Sequence, residues 1–180
     1  MLKRTMIVTA IGSAAAAALL TLAFLKSGSA LLESLAITAG TICYHLAMRL
    51  SVGCAVDGRF HNHMDYTRPW FREKKWEKPL YERLRVKGWK DRMPTYNPGT
   101  FDPREHTGEE LVMAMCQAEV VHEIIALLSF LPLFAVRRLG AVEAFLITSV
   151  LAAAFDLMFA VMQRYNRPRI LRILKKRGEI

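Results

Sequence analysis

Glu119, His122 and Glu123 stand at i, i+3 and i+4 in one long apolar run, and on a helix that spacing puts all three on one face. A carboxylate one turn from an imidazole fixes its tautomer and raises its basicity, which leaves the other ring nitrogen to take a proton from a hydroxyl. The chemistry this supports is activation of an alcohol nucleophile, with His122 as general base and Glu119 orienting it. Metal ligation is the other use of Glu-x-x-His. A di-metal site, however, needs two such motifs and further glutamates from neighbouring helices, and the apolar runs hold only one. His45 and Arg49, at i and i+4 in another apolar run, form a second pair able to face a bundle interior. These charges also have a plainer use: Arg49 with Asp156, and Glu119 with His122, can neutralise one another and fix helix packing.

The second constellation is Gln163-Arg164-Tyr165-Asn166-Arg167-Pro168-Arg169, which follows an apolar run directly. Arg164, Arg167 and Arg169 around a proline-fixed turn can hold a phosphate-bearing ligand, with Asn166 among them. The plainer reading is that basic flanks orient a span and that the stretch from Ile170 to Arg177 lies on anionic lipid. His61, His63 and Asp65 are ligand types at close spacing, but no further ligand set is evident, so no metal is expected. A Gly-rich phosphate loop, a nucleophile elbow, a cysteine nucleophile context and the His-x4-Asp signature of glycerolipid acyltransferases are all absent.

Four runs must position these residues. Thr5 to Leu25, Ala30 to Val56, Leu111 to Val136 and Leu139 to Met162 are apolar and long enough to cross a bilayer, which takes roughly 20 helical residues. The chain is 53% hydrophobic yet carries a net charge of +9, so the two properties are segregated along it. The expected fold is all-α: one membrane domain over residues 1–180, a bundle of four transmembrane helices with a cytoplasmic amphipathic segment between the second and third and a basic C-terminal amphipathic helix. The first run also imitates a signal peptide, with Lys3-Arg4 before it and Gly28-Ser29-Ala30 after it; its length and Lys26 favour a retained anchor. Cys43, Cys54 and Cys116 are odd in number and unpaired in spacing, as reduced packing residues would be.

Lys and Arg are concentrated before the first run, between Asp57 and Gly108, and after Met162, whereas the two hairpins carry only Lys26, Arg137 and Arg138. The positive-inside rule therefore expects a multi-pass protein of the cell membrane with both termini cytoplasmic. The same asymmetry accounts for the basic balance without nucleic acid. Between Trp70 and Trp89, aromatic and apolar residues recur near helical spacing among lysines and arginines, which predicts an amphipathic helix at the headgroup surface. If the third helix enters near Glu110, then Glu119 and His122 lie roughly 14 to 18 Å deep at 1.5 Å per residue. His45 has a similar depth on the second helix, so one polar cluster within reach of the cytoplasm is expected.

Ala118-Glu119-x-x-His122, the Gln163 to Arg169 stretch and the tail Arg172-Ile173-Leu174-Lys175-Lys176-Arg177-Gly178-Glu179 together resemble the glycosyl-4,4'-diaponeurosporenoate acyltransferases of staphyloxanthin-type carotenoid biosynthesis. Tyr81, Val86-Lys87, Trp89-Lys90 and Phe101-Asp102 extend the resemblance over roughly residues 70–180. It implies a membrane O-acyltransferase that esterifies a sugar hydroxyl of a glycosylated carotenoid or related glycolipid. It also implicates Glu119, His122, Arg164, Asn166, Arg167 and Arg169, and more weakly Lys87, Trp89, Lys90 and Asp102. His45 and Arg49 have no place in that pattern and rest on the depth argument alone. The expected co-substrate is an acyl thioester such as acyl-CoA, its carrier gripped by Arg164, Arg167 and Arg169, with no cofactor. The expected partners are the bilayer, the glycolipid acceptor and the acyl donor. The competing readings are a non-catalytic lipid-binding or scaffold protein and a lipid phospho-group transferase.

Overall fold

The computed structural model describes residues 2–94 and 98–180, and among these the chain is helical, with no strand. The apolar runs fold as four long stretches: α1 (Leu2–Ser27), α2 (Ala30–Phe60), the Gly108–Leu139 stretch and α7 (Val142–Arg177). Each is long and apolar enough to cross a membrane, and the protein is a membrane protein.

Local chemistry sets the ends. Gly28, at φ +66°, closes α1 by returning its N–H to the Phe24 carbonyl at 2.8 Å, the left-handed cap that glycine accepts without a Cβ clash. α2 stops where His61 and Asn62 both turn left-handed, with the Asn62 N–H donating to Gln117 Oε1 at 2.8 Å. α5 (Gly108–Leu128) opens on a reciprocal box: Thr107 Oγ1 accepts from the Glu110 N–H at 3.2 Å, and Glu110 Oε2 accepts from the Thr107 N–H at 2.8 Å. The Gly108–Leu139 stretch is not one regular helix. Pro132 starts a 3-10 turn over Leu131–Ala135, followed by α6 (Val136–Leu139), because proline cannot continue the i to i−4 ladder.

Two sequence expectations change. No turn forms at Pro168: α7 runs through it and ends beyond, where the Gly178 N–H meets the Lys175 carbonyl and the Glu179 N–H meets the Leu174 carbonyl. The basic tail is thus the end of the fourth helix, which at 36 residues is roughly 54 Å long against a hydrocarbon core of about 30 Å. The aromatic and basic segment is not one amphipathic helix either. It breaks into a 3-10 turn (Pro69–Phe71), α3 (Glu77–Arg83), α4 (Val86–Trp89) and 3-10 turns at Lys90–Arg92 and Pro98–Phe101. Arg85 at φ 50° separates α3 from α4. The aromatic side chains divide accordingly, with Phe71 and Tyr81 buried and Trp70 and Trp76 exposed.

The chain divides into two compact units, Met1–Gly53 with Ile125–Phe155 and Cys54–Ile124 with Asp156–Ile180. In the first, Tyr44 Oη donates to the Leu128 carbonyl at 2.7 Å, and a cavity of about 490 Å³ is lined by Phe24, Ile37, Gly40, Tyr44, Pro132 and Phe145 among others. In the second, Met64, Phe71 and Cys116 form a small apolar core with Phe60, Tyr66 and Val120 against it.

Two glycines should respond oppositely to alanine. Gly140 holds φ 64°, ψ −124°, a region closed to a Cβ, so Gly140→Ala is expected to lower stability by about 1–3 kcal/mol. Gly53 lies inside α2 with open space around it, so Gly53→Ala should raise stability by about 0.5–1 kcal/mol. Thermal unfolding in detergent reads both signs.

Candidate active site

Glu119 is fully buried on α5, and its two oxygens face two arginines of α7. Arg164 Nη1 donates to Glu119 Oε1 at 2.6 Å, and Arg167 Nη1 donates to Glu119 Oε2. The spacing of i and i+3 on α7 brings both guanidinium groups to one carboxylate. Several of their other donors are used as well, though buried Arg167 Nε is not. Arg164 Nε bonds Glu77 Oε1 at 2.8 Å and its Nη2 the Trp70 carbonyl at 2.9 Å, while Arg167 Nη2 reaches the Phe71 carbonyl at 2.8 Å. Arg167 also lies over the Phe71 ring, 5.0 Å from its centroid.

Glu77, fully buried on α3, takes a further bond from Tyr81 Oη at 3.2 Å. Burial, and then the Glu77 charge, push the Tyr81 phenol well above its usual range. It stays protonated and keeps donating. Tyr81 meets Tyr165 edge-on at 5.5 Å, and Arg169 covers the Tyr165 ring at 4.1 Å while its Nη2 donates to the Tyr165 hydroxyl at 2.6 Å.

His122, one turn on from Glu119, has a different partner from the one its spacing suggested. Its Nδ1 lies 3.0 Å from Asp156 Oδ1 of α7, and its ring stacks on Phe159 with centroids 4.6 Å apart at 11°. Glu119 therefore does not orient His122; both its oxygens belong to arginines, and Asp156 supplies the carboxylate. Asp156 is buried, whereas the His122 side chain is 23% exposed. With Nδ1–H held toward a carboxylate, Nε2 presents its lone pair as a proton acceptor. Glu123 turns to another task, accepting from Trp70 Nε1 at 3.1 Å.

The arginines, too, stand differently from expectation. Arg167 is 1% exposed and Arg164 12%, each engaged by carboxylates, so they brace the fold instead of forming an open phosphate grip. Arg169 is exposed and Asn166 half-buried. Lys87 is exposed; Lys90 bonds Asp91 at 2.6 Å, and Trp89 Nε1 donates to the Leu84 carbonyl at 3.0 Å. Asp102 is held by Arg104, whose hydrogen bonds keep its carboxyl below the usual range. His45 and Arg49 belong to the first unit, where Arg49 donates to the carbonyls of His45 and Ala152 at 3.0 and 3.5 Å. His61 Nδ1 and His63 Nδ1 lie against the carbonyls of Asp57 and His61, and Asp65 caps Thr67. Among the described residues no three His, Cys, Asp or Glu side chains gather as a metal site.

A family model described as glycosyl-4,4'-diaponeurosporenoate acyltransferase matches residues 67–176, more than half of the chain and all of the site just described. The chain belongs to this family. It is an acyltransferase, and the non-catalytic scaffold reading is set aside. No curated protein and no solved structure matches it. In this acyltransferase, sequence reasoning missed Glu77, hidden in a lysine-rich stretch, gave Tyr81 no role beyond the resemblance, and assigned Asp156 to Arg49. The signal for Asp156 was present, since a carboxylate inside an apolar run requires a partner.

Removing one member of a buried ion cluster leaves another charge uncompensated. Glu119→Ala is expected to cost about 3–5 kcal/mol of stability, whereas Glu119→Leu combined with Arg167→Met should recover most of that loss. Thermal denaturation of the three proteins decides; a double variant no more stable than the single would contradict the pairing.

Proposed function

We propose that the acyltransferase esterifies a sugar hydroxyl of a glycosylated carotenoid or a related glycolipid, with His122 as general base and Asp156 as the group that orients and supports it. The observation that carries this reading is the 3.0 Å contact between His122 Nδ1 and buried Asp156 beside a partly exposed imidazole. The acceptor O–H gives its proton to Nε2 as its oxygen attacks the carbonyl carbon of an acyl thioester. The tetrahedral intermediate collapses, the C–S bond breaks, and the imidazolium returns the proton to the departing thiolate. Asp156 stabilises the imidazolium between these steps.

The donor is an acyl thioester such as acyl-CoA. Its phosphates meet exposed cations, with Arg169, presented on Tyr165, and Lys87 as the foremost candidates. Arg164 and Arg167 act as positioning residues through Glu119 and Glu77. The basic segments support, by the positive-inside rule, a cytoplasmic location for both termini and for the segment between the second and third spans.

Purified protein supplied with acyl-CoA and a glycolipid acceptor tests the assignment. His122→Ala should lower the rate by about 10²–10⁴-fold, and Asp156→Asn should lower kcat with little change in the acceptor KM. Undiminished ester formation by His122→Ala removes His122 from the base role. Arg169→Gln should raise the KM for acyl-CoA and spare kcat.

A further inference from the structure

Trp70 and Trp76 are 53% and 57% exposed, and a single cation lies between them. Lys74 Nζ is 5.3 Å from the centroid of the Trp70 ring and 5.9 Å from that of Trp76. The Trp70 ring is held by its bond to Glu123, with Arg164 at its carbonyl, while the backbone of Trp76 forms the N-cap of α3. Two large, solvent-facing indoles bracketing an ammonium group are not needed for the packing of the unit, whose core lies at Met64, Phe71 and Cys116.

We propose that Trp70, Lys74 and Trp76 form a docking site for anionic lipid headgroups. The level of the site follows from α5. Trp70 bonds Glu123, and the next residue, Ile124, is the first large exposed apolar residue of α5; in the same unit Leu157 and Met158, next to the Asp156 that meets His122, are exposed as well. The rings therefore stand where apolar surface gives way to polar surface, the level at which tryptophan is enriched in membrane proteins. The sign of the headgroup follows from the neighbours. Arg72, Lys75 and Lys78 are exposed around Lys74; of the three nearby carboxylates, Glu73 is exposed, Glu77 is buried under Arg164 and Tyr81, and half-buried Glu123 is taken up by Trp70 Nε1. A choline headgroup would bring a further cation to rings that already face Lys74 and, at Trp70, Arg164 as well, whereas a phosphodiester without its own cation meets an ammonium group in place.

The test uses the full chain in nanodiscs of phosphatidylcholine and phosphatidylglycerol, one lipid brominated at a time, read by tryptophan quenching in a Trp89→Phe background. Phosphatidylglycerol should be preferred at the indoles. Lys74→Gln should lower that preference about fivefold, as expected for one basic residue near a charged surface, Lys74→Arg should retain it, and high salt should weaken it. Equal quenching by the two lipids overturns the proposal. So does the absence of quenching by either, which would assign the patch to a water-soluble acidic partner. Neither readout depends on the chemistry at His122.

Discussion

A carboxylate with no access to water must find cations or lose its charge, and Glu119 sets that condition for the whole second unit. Two guanidinium groups meet it. Arginine suits the position because its planar fork has donors left over after the carboxylate is satisfied, and those donors reach Glu77 and the carbonyls of Trp70 and Phe71. One buried cluster thus ties α5 and α7 to α3 and to the 3-10 turn at Pro69–Phe71. The charged segment between the second and third long stretches folds as short pieces because it must deliver one carboxylate and two carbonyls to fixed points, which a single helix could not do.

The four spans were legible because length and hydropathy are properties of contiguous sequence. The members of the polar cluster were legible for a related reason: Glu119, His122 and Asp156 are conspicuous in apolar runs. Their pairing was not. Helical spacing says which residues share a face, but the choice among several opposite charges is made by tertiary contacts, and here each charge paired across helices. The first half of α5 is covered by protein: its large exposed apolar residues begin only at Ile124, and Glu119 is fully buried. Pro168 misled because a proline signals a turn only where the helix has no other support, and Arg167 and Leu174 are buried on either side of it.

The site separates two jobs that sequence alone merged. Arg164 and Arg167 hold the frame; His122 and Asp156 pair apart from it, one partly exposed and the other not. The stacked Phe159 ring adds a wall that limits rotation of the imidazole. All three elements of that arrangement come from two helices, so the geometry is set by how α5 and α7 are phased against each other.

That phasing bears on how such a chain can change over generations. Asp156, Arg164 and Arg167 lie on one uninterrupted helix, and their partners Glu119 and His122 lie on another. Inserting or deleting one residue between Asp156 and Arg164 would turn everything beyond it by about 100°, parting either the histidine from its carboxylate or the arginines from theirs. Length variation among descendants is therefore confined to places such as the Ser129–Ala141 connection, while the stretch from Asp156 to Arg167 keeps its residue count even where its side chains drift.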